Sequence, residues 1–216
     1  MPKASLELIA RREKEIVDAC EKIYRAKGFC GVTIKEISTE TSFTRPAIYN
    51  YFETKDEILM ALLCREYREF CERLESLAAK AAQCTKAVLA DQIAGALAER
   101  EILLRIQSMD LFEIEQNSRL ERLVRLKEIY GRTVAALEAV LGAYGVSSGE
   151  ERASCSRTFF AFLFGVHPYV FHTEKQLEAM RIAGISVRGT TVYEMVYQCL
   201  LRLIPERKGT AEGQEA

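Results

Sequence analysis

Apolar positions recur at three- and four-residue steps along most of this 216-residue chain. The clearest run consists of six apolar residues on one helical face: Leu59, Leu63, Tyr67, Phe70, Leu74 and Leu77. Such a stripe is typical of an amphipathic α-helix. Alternating patterns typical of strands are nearly absent. The sequence therefore predicts an all-α protein in which a long helix begins near residue 55.

Helix-end signals divide the residues before that long helix into three shorter helices. Gly28 follows two basic residues in the preceding turn, which is typical of a helix C-terminus. Thr33 with Glu36 has the spacing of a capping box and opens a second helix. Thr44 opens a third, and the capping pattern recurs at Thr54, where the long helix starts.

Further helical segments follow the long helix. They are predicted at about residues 86–105, 108–116, 119–143, 149–171, 174–183 and 190–204. The stretches GAYGVSSGEE and AGISVRGT read as loops between them, because Gly and Ser cluster there. The polar end PERKGTAEGQEA, residues 205–216, predicts a disordered tail.

Composition restricts the kinds of binding site and the cellular location that the chain can have. A formal net charge of −1 gives no overall attraction to nucleic acid, so any anion-binding surface must be a local patch. The start lacks the apolar run of a signal peptide, and no stretch reaches the length of a membrane span. Seven cysteines without a C-x-x-C pair are typical of reduced thiols, and two histidines show no zinc spacing. We therefore expect a cytoplasmic protein without a membrane partner, metal or cofactor.

The segment TIKEISTETSFTRPAIYNYF has the pattern of a helix-turn-helix, in which TETS separates two short helices. Thr44 can cap the second helix, and Pro46 lies in its first turn, where a missing N–H costs nothing. Arg45 lies at the exposed start of the second helix. Its guanidinium can donate two hydrogen bonds at once, to guanine O6 and N7 in a major groove. Tyr49, one turn later, and Lys55, at the next helix start, are suited to phosphates.

The stretch GFCGVTIKEISTETSFTRPAIYNYFETKDEIL resembles the DNA-binding signature of the tetracycline-repressor (TetR) family. The shared features are a Gly-Phe turn, a Thr-capped helix and a Tyr-x-Tyr-Phe-x-x-Lys segment followed by Leu59, and they cover about residues 10–62. The resemblance implies a helix-turn-helix domain (1–54) joined by a long helix to a larger effector-binding and dimerisation domain (55–204). The expected DNA-binding residues are Thr33, Thr44, Arg45, Pro46, Tyr49, Asn50, Tyr51 and Lys55.

The resemblance also implies a ligand cavity among the middle helices. The candidate wall residues are Met109, Phe112, Tyr130, Phe159, Phe162 and His167. Each of the apolar candidates is equally compatible with filled core. His167 precedes Pro168, which frees backbone groups, so it is either a polar anchor for an effector or a core histidine tied to a freed carbonyl.

Apolar faces near the chain end favour a homodimer, because they exceed what a peripheral helix can bury alone. The residues expected in this interface are Phe160, Phe164, Tyr193, Val196, Tyr197, Leu200 and Leu203. The alternative is that they pack inside one subunit.

Together these patterns predict a sequence-specific transcriptional regulator, most simply a repressor released from a near-palindromic operator by a small, largely apolar effector. Control of the same fold by cysteine oxidation or by a protein partner is an alternative. A helical scaffold without DNA binding is another, which the grouping of Arg45, Tyr49 and Lys55 disfavours. An enzyme is disfavoured because the chain has no phosphate loop, metal spacing or Ser/His/Asp order.

Overall fold

The computed structural model describes residues 3–207, and in that range the chain is helical without a strand. The α-helices are α1 (Lys3–Gly31), α2 (Ile34–Thr39), α3 (Arg45–Tyr49), α4 (Lys55–Ala78), α5 (Lys86–Ala98), α6 (Glu101–Arg105), α7 (Leu111–Gln116), α8 (Leu120–Tyr144), α9 (Gly149–Val170), α10 (Glu174–Ile182) and α11 (Val192–Leu203). A 3₁₀ turn spans Ala81–Gln83, and a π-helical segment, Ile106–Asp110, joins α6 to α7. The all-α class predicted from the sequence is confirmed.

The described residues form two compact units. The first lies within Met1–Tyr67 and Met109–Tyr130, and the second lies within Arg68–Ser108 and Gly131–Ala216. The sequence predicted a division after residue 54, whereas the first unit runs on into α4 and takes in the segment 109–130. That segment belongs to the first unit because its side chains bind residues of α1 and of the α3–α4 region.

The helix ends in the first unit follow the local signals. Gly28 adopts φ 68°, a left-handed conformation that favours glycine, and it interrupts the helical geometry near the end of α1. The Thr33 hydroxyl accepts a hydrogen bond from the Glu36 N–H at 3.1 Å. The Glu36 carboxylate turns to Lys27 at 2.5 Å, so only half of the predicted capping box forms.

Apolar burial holds the first unit together. Ile37 of α2 and Ile48 of α3 are both fully buried, and α2 packs against α1 and α3. Phe52, just after α3, is also fully buried. The stripe predicted on α4 is confirmed from Leu59 to Leu74, whose apolar side chains are buried. Burial of this kind supplies most of the stability of short helices.

The second unit is built on α11, which packs against α5 and α9, while α6 packs against α9. Its described chain end is tied down, since Lys86 pairs with Glu206 at 2.7 Å and Arg207 donates to the Ala82 carbonyl at 3.0 Å. The tail predicted to be disordered therefore begins with residues in contact with the unit. The remainder of that prediction, 208–216, lies outside the described residues.

Within residues 3–207, no helix combines the length and the apolar character needed to cross a membrane.

Candidate nucleic-acid interface

The helix-turn-helix presents an exposed surface opposite the buried Ile37 and Ile48. Because those side chains anchor α2 and α3 to the core, the other faces of both short helices point to solvent. Pro46 occupies the first turn of α3, as predicted. The exposed predicted residues are Thr33, Thr44, Arg45, Pro46, Tyr49 and Asn50. Tyr49 is 54% exposed although it is aromatic.

The acidic residues near this surface are engaged by cations of α1. Glu36 pairs with Lys27 and Glu40 pairs with Lys22, each at 2.5 Å. The hydrogen bond and charge of Lys27 hold the pKa of Glu36 below its usual range. The negative charges of both carboxylates are therefore offset by lysines of α1.

Two cations of the helix-turn-helix remain without a carboxylate partner among the described residues. These are Lys35 in the first turn of α2 and Arg45 at the start of α3. Their charges face solvent at the surface that the exposed side chains form. Lys35 is a residue that the sequence analysis missed, although its position next to a helix N-terminus could have indicated it.

The turn between α2 and α3 is fastened to α1. The Ser42 N–H donates to the Glu15 carboxylate at 2.7 Å, and this bond lowers the pKa of Glu15. A charge-assisted bond to backbone fixes the turn more firmly than a neutral one. The spacing of the two residues in sequence gave no signal for this contact.

Thr44 departs from the expected capping role. Its hydroxyl makes no capping hydrogen bond to α3, whereas its carbonyl accepts from the N–H groups of Ala47 and Ile48 at 3.0 and 3.1 Å. Pro46 lacks an N–H to donate in this first turn. The Thr44 hydroxyl is therefore available at the exposed surface.

Tyr51 and Lys55 are more engaged within the unit than the sequence suggested. The Tyr51 hydroxyl accepts a hydrogen bond from Arg12 at 2.9 Å, and its ring lies 6.2 Å from that of Phe43. Lys55 places Nζ 3.7 Å from the ring centroid of Phe29, a cation–π contact. Both side chains are half-buried.

Glu57, which follows α3 in the chain, forms an ion pair with Arg119 in which only the carboxylate is buried. Glu57 has no exposed side-chain surface, and Arg119 binds both of its carboxylate oxygens, with contacts of 2.6 and 2.8 Å. Burial alone would raise the pKa of Glu57, but the hydrogen bonds from Arg119 and from the Glu53 N–H outweigh it and lower that pKa. Arg119 also reaches Glu53 at 3.0 Å. Arg119 and Glu57 are 62 positions apart in the chain, so the sequence alone gave no indication of this ion pair.

The candidate effector residues of the first unit are not enclosed. Met109 and Phe112 are 62% and 81% exposed in this chain, which corrects their assignment as cavity walls. They lie in and after Ile106–Asp110, whose wider π turn rotates the following side chains relative to a regular α-helix. Tyr130 is half-buried, with its ring edge-to-face with Tyr67 at 5.7 Å.

The remaining candidates lie on α9 in the second unit. Phe159 and His167 are buried and Phe162 is half-buried. His167 stacks on Phe171 at 4.7 Å, and its Nδ1 has no hydrogen-bond partner within the described part of the chain. Burial and the positive charge of Arg105 lower the pKa of His167. The imidazole is therefore neutral at pH 7, and its Nδ1 is not tied to a freed carbonyl.

The predicted dimer residues divide into two groups. Phe160, Val196 and Leu200 are already buried inside one chain, because α11 packs against α5 and α9. They cannot supply an interface surface, which corrects that part of the prediction. The accessible residues are Phe164, Tyr193, Tyr197 and Leu203.

Within residues 3–207, no three His, Cys, Asp or Glu side chains are grouped as metal ligands.

Two family models match consecutive parts of the chain. The model described as "Bacterial regulatory proteins, tetR family" matches residues 16–62. The model described as "Tetracyclin repressor-like, C-terminal domain" matches residues 64–200, more than half of the chain. The chain belongs to the TetR family. This TetR-family chain is thus a transcriptional regulator with a helix-turn-helix, and its exposed α2–α3 surface lies in the matched DNA-binding part.

Two relatives match this TetR-family regulator over a limited part of its length. It is 31% identical over 62 residues to the HTH-type transcriptional regulator YfiR of Bacillus subtilis, covering 29% of this chain and 30% of YfiR. It is 29% identical over 80 residues to the HTH-type transcriptional repressor Rv1474c of Mycobacterium tuberculosis, covering 37% of this chain and 41% of that protein. The matched region therefore spans less than half the length of either relative.

The fold of the TetR-family chain is similar to that of a solved regulator over nearly its whole length. That structure is the transcriptional regulator FadR from Bacillus subtilis in complex with stearoyl-CoA. The TM-score is 0.59 at 18% identity, and the similarity covers 88% of this chain and 97% of that one. At this identity the likeness concerns the fold.

Proposed function

We propose that this TetR-family regulator is a repressor that binds a near-palindromic operator as a homodimer and leaves it when a small, largely apolar effector binds. The observation that carries the proposal is the surface of α3, where Arg45 and Tyr49 stand exposed on a helix held from behind by buried Ile48. A short helix anchored in this way fits the major groove of B-DNA.

The residues of this surface take different roles in the proposal. Arg45 reads a guanine, because its guanidinium has no competing carboxylate partner among the described residues. Tyr49 and the Thr44 hydroxyl bind phosphates beside it. Lys55 adds a phosphate contact from its place over Phe29. The remaining candidates from the sequence, Thr33, Pro46, Asn50 and Tyr51, complete the surface.

The accessible face of α9 supports a homodimer. Ala161, Phe164, Gly165 and Pro168 follow one another at helical spacing, and Phe164 is 42% exposed. Apart from the nearby backbone of α9 itself, no described atom lies within 4 Å of a Cβ placed on Gly165, so the helix surface is open there. Small residues of this kind let two helices approach closely, and a two-fold axis would place two α3 helices on one palindromic site.

The second unit supports an apolar effector. Buried aromatic side chains such as Phe159 line the inner face of α9, and the neutral His167 supplies one buried nitrogen without a partner within residues 3–207. Pockets with mostly apolar walls and a few polar groups are typical ligand sites. The stearoyl-CoA carried by the FadR structure of similar fold makes long-chain acyl compounds a rational first class to test.

A panel of acyl-CoA thioesters tests the effector proposal. We expect stearoyl-CoA to raise the melting temperature and weaken operator binding about 5- to 150-fold, the range of typical coupling free energies. Coenzyme A without an acyl chain serves as the control and should change neither quantity. His167→Phe should weaken the stearoyl-CoA effect and leave operator affinity without ligand unchanged. Absence of any response to acyl chains of all lengths would contradict this effector class.

The alternative of control by thiol oxidation finds less support. Burial raises the pKa of Cys20 to about 12 and also raises the pKa values of Cys71, Cys155 and Cys199. Peroxide reacts with the thiolate, which these cysteines rarely form at neutral pH. Cys30, by contrast, is exposed in the first unit.

Peroxide treatment separates the two modes of control. We expect operator affinity of the reduced protein to change less than about twofold after mild peroxide, because the buried thiols are protonated and inaccessible. The measurement is a gel shift before and after treatment, with Cys30→Ser as a matched variant. A large loss of affinity that dithiothreitol reverses would instead favour the oxidation switch, and its absence in Cys30→Ser would locate the sensor.

A further inference from the structure

The segment 109–130 binds the helix-turn-helix at several points, although it is remote from it in sequence. Tyr24 of α1 donates to the Asp110 carboxylate at 2.6 Å. The Thr54 hydroxyl, between α3 and α4, donates to the Asn117 carbonyl at 3.2 Å. Arg119 binds the buried Glu57, as described above. These contacts fix the turn between α7 and α8 against the start of α4.

Arg122, in the first turn of α8, makes the contact nearest to α3. It donates to the Tyr51 carbonyl at 2.7 Å and pairs with Glu13 of α1 at 2.9 Å. Its guanidinium carbon also lies 4.6 Å from the ring centroid of Phe52. Only 15% of the Arg122 side chain is exposed. One guanidinium therefore joins α1, α8 and the chain that leaves α3.

These contacts matter because α3 has only one buried anchor of its own, Ile48. Its five residues, Arg45–Tyr49, make little more than one helical turn, which is not stable in isolation. Its N-terminal end is open to solvent, whereas Tyr51, two residues beyond its C-terminal end, is held by Arg122. The guanidinium of Arg122 is planar and its N–H donors are rigid. It therefore fixes the orientation of the Tyr51 carbonyl as well as its distance.

We propose that Arg119 and Arg122 are positioning residues for operator recognition: they orient α3 through Glu57 and Tyr51 and set DNA affinity without touching DNA. Both arginines lie in the part matched by the C-terminal domain model, whereas Tyr51 and Glu57 lie in the part matched by the DNA-binding model. The proposal rests on the proposed function in that α3 is taken as the DNA-reading element.

The same contacts offer a route for regulation of α3. The segment 109–130 continues without interruption from the π-helical Ile106–Asp110 and passes into the rest of α8. π-helical segments are frequent at functional sites. A displacement of residues 109–130 would move Arg119 and Arg122, and these would in turn move the end of α3.

Operator affinity of arginine variants tests the proposal. The probe is a duplex selected from a random pool by the full-length wild-type protein. We expect Arg122→Ala to weaken binding about 3- to 30-fold, the size of effect seen for residues that couple to a site without contacting its ligand. Arg122→Lys, which keeps the charge near Glu13 but loses the fork, should lie between it and wild type. Arg125→Ala, an exposed position of the same helix, should stay within about twofold of wild type.

The dependence on salt distinguishes positioning from direct contact. If Arg122 touches no phosphate, the slope of log affinity against log salt in Arg122→Ala equals the wild-type slope. A slope reduced by about one per half-site would overturn the proposal, and so would wild-type affinity in Arg122→Ala. Should Arg122→Ala fail to fold, Glu13→Gln gives the readout, with a weaker operator complex and an unchanged slope expected.

A wild-type protein that selects no duplex would refute the proposed function itself. Wild-type binding together with unaffected arginine variants would refute only the positioning role.

Discussion

Replacing Arg45 by Ala is expected to weaken operator binding by about 2–6 kcal/mol in a homodimer, that is about 1–3 kcal/mol at each half-site. The reason is the loss of two hydrogen bonds to one guanine. Arg45 is exposed and has no carboxylate partner among the described residues, so the variant should leave the fold unchanged. The measurement compares affinity for operator and scrambled duplex, and preference at one base pair should flatten.

Two variants sharpen this test. Arg45→Lys keeps the positive charge but loses the two parallel N–H donors of the guanidinium. The variant should therefore retain binding to scrambled DNA and lose its preference for operator. Lys55→Ala should weaken all sequences alike and reduce the salt slope by about one per half-site. Its cation–π contact with Phe29 makes a thermal melt the necessary control. If Arg45→Ala weakened both duplexes equally while Lys55→Ala relaxed specificity, α3 would be docked differently from our proposal.

Gly165→Arg is expected to convert the protein to a monomer and to weaken operator binding about 10²- to 10⁴-fold, because the second half-site then no longer binds intramolecularly. Gly165 lies in the accessible face of α9, where an added Cβ meets no side chain and no other element of the described chain within 4 Å. The variant should therefore fold and fail only in dimerisation. Light scattering at micromolar concentration reports the mass, and a gel shift reports the affinity.

Gly95→Arg is the matched control for Gly165→Arg. Gly95 also lies inside a helix, α5, and also has no atom within 4 Å of an added Cβ. Both changes replace glycine by a better helix former, so neither helix should be weakened. A dimer that tolerates Gly165→Arg, or one that only Gly95→Arg disrupts, would place the interface elsewhere.

Much of the helix-turn-helix followed from sequence because its signals are local. Thr33 caps α2 and Pro46 lies in the first turn of α3, each as predicted, and the helix end predicted at Gly28 is marked by a positive φ near the end of α1. The apolar stripe of α4 was equally local, since a single helix repeats its faces every three to four residues. The span of α8, Leu120–Tyr144 against a predicted 119–143, was close for the same reason.

Other features could not be read from neighbouring residues. The helix predicted over 86–105 is interrupted at Arg100, whose guanidinium pairs with Glu69 at 2.7 Å. From the sequence, Phe160 and Val196 were compatible both with a dimer interface and with the core of one chain. The reason is that an apolar helix face does not show which surface covers it. The exposure of Phe112 depended on the π turn that precedes it.

By itself, the sequence determined the all-α class, most helix ends around the helix-turn-helix and the exposed candidates Arg45 and Tyr49, because capping and periodicity act over a few residues. Only the tertiary structure decided that Arg119 and Arg122 bind the helix-turn-helix and that Lys35 and Arg45 keep free charges among the described residues. An ion pair depends on which side chains the whole fold brings within about 4 Å. Arg119 and Glu57 are 62 positions apart in the chain, so no local sequence pattern could have predicted their contact.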